Sequence, residues 1–343
     1  MRRSRAIKAI AWGTVAAGIA APLLRKRLPA RPLLTQTVAF AAPLGLSVAA
    51  RRTRTRDVAV CALQMWAYLA AYKSPHDDPD AQEQKTHFRY PIDVDRVIGL
   101  GELPTVRLQR ALARVGPDGP QWRDLDRVLV WAHWVWFMVP HGTVAYTLAR
   151  HPERFPRAAA LTYAVFDIGA MIYWVLPTAP PWYAAEGAYE FDGVPAVSRA
   201  PGRAADAVRA ESSGHAEHAA VRRMMVEYGE HFWRDGWGPL YSVLGGNPLA
   251  AMPSLHFATS LMAALLLAEV GPLAGAVGSA YAATLGFALV YLGEHYVVDL
   301  LAGAALTVAV RRIAPRVAPL TMGFARAVAA LEASAHEGGR VTA

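Results

Sequence analysis

Apolar positions in this chain come in long unbroken blocks, not in the alternation or three-to-four spacing of half-buried elements. The blocks cover residues 57–72, 128–149, 158–176, 257–268, 273–292 and 296–310, and two more lie ahead of them at 9–24 and 33–50. A helix that is apolar all round belongs in lipid or in a large core. The six later blocks predict an all-α integral membrane protein with a six-helix transmembrane core and extra N-terminal hydrophobic helices. Several blocks fall short of the roughly 20 residues that cross a bilayer upright, so flanking residues dip into the interface. Three regions follow: hydrophobic or interfacial segments over 1–50, a membrane domain over 51–312, and a tail over 313–343. The tail holds an amphipathic piece at 322–331 and then polar residues that fray.

Arginines orient the core. Arg51, Arg52, Arg54 and Arg56 precede the first core block, Arg150, Arg154 and Arg157 separate the second from the third, and Arg311, Arg312 and Arg316 follow the last. If six spans alternate, all three clusters fall on one side, which the positive-inside rule makes cytoplasmic. Residues 73–127 and 178–252 then form two long extracytoplasmic loops. The expected setting is a multi-pass protein of the cell membrane. At the amino terminus the charged and apolar zones mimic a signal peptide, yet Arg25, Lys26 and Arg27 directly after the apolar zone argue for retention. If 9–24 and 33–50 both cross, those cations are left outside; as interfacial or re-entrant helices they keep them in the cytoplasm. The sequence leaves both arrangements open.

Composition narrows the partners. The formal charge of +8 over 343 residues invites a nucleic-acid reading, but the arginines flank apolar helices and form no stripe with stacking aromatics. They read as topological anchors toward a lipid bilayer, and no nucleic-acid partner is expected. The single cysteine, Cys61, rules out an internal disulfide or a cysteine metal cluster.

Chemistry concentrates at two helix mouths. Ser254-Leu255-His256 opens one apolar block, and His295-Tyr296-Val297-Val298-Asp299 opens another. Residues four apart share a helix face, so Asp299 can accept from one nitrogen of His295 and leave the other bare. Blocks 257–268 and 273–292 carry the chain away and back, which lets His256 and His295 meet on one membrane face. Asp167 is a second acid within an apolar block and needs a partner. His133 and His141, set among Trp131, Trp134, Trp136 and Phe137, read as part of an aromatic belt at the interface or as packing residues. His215, Glu217 and His218 have no supporting ligand pattern for a metal.

The segment Pro253 to His256, together with His295 to Gly303, resembles the paired signatures of the type 2 phosphatidic acid phosphatase superfamily. Within it, Leu176-Pro177-Thr178-Ala179-Pro180-Pro181-Trp182 is similar to a proline-rich segment of the branch that holds fungal inositol phosphorylceramide synthase (an inositolphosphotransferase) and related bacterial membrane proteins. The resemblance implies a lipid phosphate phosphatase or phosphotransferase that needs neither metal nor cofactor. In that reading His295 attacks phosphorus, His256 serves as general acid and base, and Asp299 orients His295. A membrane lipid phosphate or prenyl phosphate is the implied substrate, met on the extracytoplasmic side. Members of the superfamily usually also carry an early Lys and Arg-Pro element, and their Ser-Arg pair is replaced here by Ala288-Leu289, so an expected set of two phosphate-binding cations is missing. Arg199 and Arg234 are the candidates to replace it, with the helix start at Ser254 and with Gly246 and Asn247 as further donors, and Trp182 as site wall. A different class, a non-catalytic lipid transporter or scaffold, predicts polar residues along a path through the bundle instead of at one end.

Overall fold

The computed structural model describes residues 2–25, 27, 32–117, 119–186, 221–244 and 246–337. Helices dominate. In chain order they are α1 (Arg2–Leu24), α2 (Pro32–Ala49), α3 (Arg54–Lys73), α4 (Pro79–Glu83), α5 (Arg89–Ile98), α6 (Pro104–Leu112), α7 (Asp124–Trp134), α8 (Met138–Arg150) and α9 (Phe155–Val175). Then follow α10 (Pro181–Glu186), α11 (Met224–Trp233), α12 (Trp237–Leu244), α13 (Leu255–Val270), α14 (Pro272–Tyr291) and α15 (Val297–His336). A three-residue hairpin pairs β1 (Arg114–Gly116) with β2 (Gly119–Gln121). The protein is an all-α, multi-pass membrane protein. Among the described residues α1, α2, α9 and α14 are long and apolar enough to cross a bilayer. The two N-terminal blocks therefore both form helices of spanning length.

Two compact units make up the chain. One comprises Met1–Asp77, Val144–Ala170 and Val308–Ala343; the other comprises Asp78–Thr143 and Met171–Thr307. In the first, α1 and α2 bury small residues, Ala11 and Gly18 on one and Ala39 and Ala42 on the other, which allows close helix approach. Arg56 donates to the Ser47 and Ala50 carbonyls at 3.0 and 3.1 Å and to Glu332 at 2.9 Å. Asp167 finds its partner in Gln64, whose amide donates to it at 2.8 Å. Serine 4 donates to the Ala335 carbonyl at 2.6 Å. With these contacts near its end, α15 runs through Pro315 and Pro319 to His336 and takes in the amphipathic piece at 322–331, while residues 338–343 of the polar tail lie outside the described residues.

The second unit corrects the picture of two polar loops. Phe88, Ile92, Leu103, Val106, Ala184, Leu249 and Tyr296 form one apolar core, and Val130, Met224, Tyr228, Trp237, Tyr291 and Leu292 form another. Short amphipathic helices supply many of these residues, among them Ile92, Val106, Met224 and Tyr228, and their polar faces disguise them in a hydropathy reading. Block 128–149 is likewise two helices, α7 and α8, parted at residues 135–137. Pro140 accounts for the break. Inside a continuous helix it would remove a hydrogen bond, whereas in the first turn of α8 its missing N–H is harmless.

The proline-rich segment after α9 is a brace. Thr178 donates its amide to the Leu249 carbonyl at 3.0 Å and accepts from Ala251 at 3.1 Å. On its other side His87 donates to the Pro177 carbonyl at 2.9 Å and accepts from Ala179 at 3.1 Å. It thereby holds the strand-like approach to Ser254.

Candidate active site

Every described residue of the site lies in the second unit. Its frame is the crossing of α13 and α15 near their N-termini. Ser254 caps α13 by accepting from the Phe257 amide at 3.3 Å, and its own amide donates to the Asp299 carbonyl at 2.9 Å. One turn on, the Thr307 hydroxyl donates to the Ala258 carbonyl at 2.8 Å. Gly303 stands where a β-carbon would come within 2.6 Å of the Ser254 carbonyl oxygen. The absence of a side chain lets the two helices touch, and that contact brings His256 toward the start of α15.

The loop that carries His295 is built with equal care. Helix α14 ends at Tyr291, and Gly293 follows at φ +82°. The Gly293 amide donates to the Val290 carbonyl at 3.2 Å and the Glu294 amide to the Leu289 carbonyl at 3.0 Å. These two bonds, with a left-handed glycine between helix and loop, are a Schellman cap. Distant residues then clamp the loop at both ends. At its start, the Gln109 side-chain amide donates to the Tyr291 carbonyl at 2.9 Å, and the Trp182 amide donates to the Gly293 carbonyl at 3.2 Å. At its end, Asp95 on α5 accepts from the Val297 and Val298 amides at 2.9 and 2.8 Å, filling the orphan donors of α15. Burial pushes the Asp95 carboxyl up to about 6, against the pull of those two amides.

His295 itself lies outside the helix, two residues ahead of α15, rather than on its first turn. Its pairing with Asp299 is nevertheless made. Asp299 sits in the first turn, fully buried, and one carboxylate oxygen faces His295 Nδ1 at 3.2 Å while accepting from the Tyr296 amide at 2.9 Å. The opposite nitrogen of His295, Nε2, is 3.1 Å from His256 Nδ1. Carboxylate, imidazole and imidazole thus stand in one continuous line. The His256 ring is flanked by Trp136, with centroids 4.1 Å apart, and by His133 at 5.0 Å with the rings 25° from parallel. Of the two ordinary readings of His133, belt or packing, the structure shows packing, on His256.

The remaining sequence candidates divide. Ser254 is at the frame, and Trp182 is buried against the His295 loop. Asn247 is buried, and its side-chain oxygen accepts from Gln82 at 3.0 Å and from the Leu249 amide at 3.0 Å. Gly246 is exposed. Arg234 is exposed on the turn after α11, and its side chain makes no hydrogen bond or ion pair among the described residues. Arg199 lies outside the described residues. A cation that sequence reasoning passed over stands beside the loop instead. Arg223 lays its guanidinium 3.3 Å from the centre of the Trp182 ring, donates to the Tyr241 hydroxyl at 2.7 Å, and pairs with Glu294 at 3.5 Å. Asp95 and Gln109 were also missed, because nothing local separates them from the other polar residues of a charged loop. Gly293 did carry a signal, a glycine directly after an apolar helix.

Comparison with known proteins adds the following. The model of a family described as the PAP2 superfamily matches residues 121–313, more than half of the chain. The inositol phosphorylceramide synthase catalytic subunit of Schizosaccharomyces pombe is 30% identical over 150 residues, covering 43% of this chain and 30% of that protein. The inositol phosphorylceramide synthase of Candida albicans is 25% identical over 186 residues, covering 53% of this chain and 35% of that one. The chain thus spans about a third of the length of these curated relatives. No solved structure matches it significantly.

Proposed function

For a chain that belongs to the PAP2 superfamily, we propose catalysis of phosphoryl or phospho-headgroup transfer from a membrane lipid through a phosphohistidine at His295. The observation that carries this reading is the line from Asp299 through His295 to His256. With Nδ1–H of His295 donated to the carboxylate, Nε2 presents its lone pair. That lone pair attacks phosphorus, the N–P bond forms, and the ester P–O bond breaks. His256 gives a proton to the departing oxygen. In the second half an acceptor hydroxyl loses its proton to His256, its oxygen bonds to phosphorus, and His295 is released. Acid–base assistance of this kind is worth about 10²- to 10⁴-fold. In the resting site the two imidazoles face one another, so substrate displaces that contact as it enters.

Charge on the transferring group is met within the protein. The capped start of α13 offers free amides and the positive end of its dipole, and Arg223 supplies the cation that Ala288 and Leu289 cannot. The scheme calls for no metal. Both matched relatives are named as synthases, which favours a lipid or polyol hydroxyl over water as acceptor. Arginine placement supports a site on the extracytoplasmic side.

The test incubates purified protein with radiolabelled phospholipids and prenyl phosphates, then traps acid-labile, base-stable label. His295→Ala is expected to lose label and turnover, whereas His256→Ala retains label and turns over slowly. Full activity in His295→Ala refutes the mechanism.

A further inference from the structure

His133 is held at the centre of this site, and the reaction as written makes no use of it. It shares a face of α7 with Asp126 and Val130, positions seven and three residues earlier. Asp126 is fully buried and accepts from the Tyr291 hydroxyl at 2.6 Å; Val130 is fully buried as well. The Tyr281 hydroxyl donates to the Ala132 carbonyl at 2.8 Å. These contacts pin both ends of α7 to α14, the helix that leads into the His295 loop. There the His133 ring stacks on His256, and Glu294, His295 and Arg223 are all within electrostatic reach.

Both ring nitrogens of His133 are sealed from solvent, and neither has a hydrogen-bond partner among the described residues. Buried polar groups are normally satisfied, so an imidazole orphaned at both nitrogens calls for a ligand that completes it. An anion suits this place. His133 brings an unpartnered N–H, and the Arg223 guanidinium, also in reach, pairs with the Glu294 carboxylate and offsets its repulsion of an anion, while a second charged imidazole stacked on His256 would be repelled.

We propose that His133 is a third imidazole of the site and that, in its neutral form, it donates a hydrogen bond to a non-bridging oxygen of the phosphoryl group under transfer. This rests on the reading under Proposed function. It adds to the pair His256 and His295 a substrate contact from α7, and it leaves His256 as the group that changes charge.

Two substitutions separate hydrogen bonding from ring packing. His133→Phe keeps a ring against His256 but cannot donate; His133→Asn donates but cannot stack. Each is assayed for kcat/KM with a radiolabelled lipid phosphate and for inhibition by orthovanadate, a phosphoryl mimic. Loss of one such hydrogen bond predicts that Phe weakens vanadate inhibition and lowers kcat/KM by about 10- to 100-fold, with Asn recovering most of both. The reverse order, Phe active and Asn impaired, assigns His133 to packing and overturns the proposal. Should the Phe variant fail to fold, the comparison passes to Asn against Ala, and equal vanadate inhibition in those two overturns it likewise. A wild-type protein with no phosphate transfer on any donor sinks the functional reading itself. An active wild type with an indifferent Phe variant sinks only the role of His133.

Discussion

In the proposed reaction Arg223 is the cation that meets the donor phosphate. Its guanidinium is committed on three sides, to the Trp182 face, the Tyr241 hydroxyl and Glu294, and this holds it rigidly beside the loop that bears His295. A charge-assisted hydrogen bond contributes about 1.5–3 kcal/mol, so Arg223→Ala is expected to raise KM for the phosphate donor by about 10-fold or more. Arg223→Lys is expected to recover little, since an ammonium can neither stack on the indole nor reproduce the planar fork. Steady-state kinetics on the two variants checks this, and an unchanged KM in Arg223→Ala removes Arg223 from the binding site. His256 and His295 were legible from sequence because each belongs to a short local motif. Arg223 was not, since it is one arginine among many and only the fold shows which of them stands beside Glu294.

At the scale of elements, the start of α15 is held by a carboxylate 202 and 203 residues away in sequence, Asp95 on α5. Its folded pKa of about 6 lies above the ordinary value of 3.8. A carboxyl raised in this way contributes stability that is complete below its unfolded pKa and is lost as pH rises through about 6. Thermal unfolding in detergent is therefore expected to show Tm falling between about pH 4 and about pH 7, with a shallower dependence in Asp95→Asn. Parallel curves for the two proteins would remove Asp95 as the source. The helices themselves were largely readable. Apolar blocks located α9 and α14 within a few residues, whereas block 128–149 hid the break between α7 and α8. The amphipathic helices α5 and α6 were not, because a polar face reads as loop when hydropathy is averaged over both faces.

For the molecule as a whole, the proposed membrane orientation rests on the three arginine clusters. In a Cys61→Ser background, a cysteine placed at Lys85 is expected to react with an impermeant maleimide applied outside intact cells. One placed at Arg154 is expected to react only after permeabilisation. The opposite pattern would place the histidine site in the cytoplasm. Sequence alone determined that this is a helical membrane protein and singled out two histidines and an aspartate as the candidates for its chemistry, because block hydropathy and i to i+4 spacing are local properties of a chain. Only the tertiary structure decided what surrounds those three residues. It set His133 against His256, Arg223 against Glu294, and Asp95 under the first amides of α15. Each of these pairings joins segments far apart in the chain, and no local spacing encodes which distant polar group will satisfy a buried one.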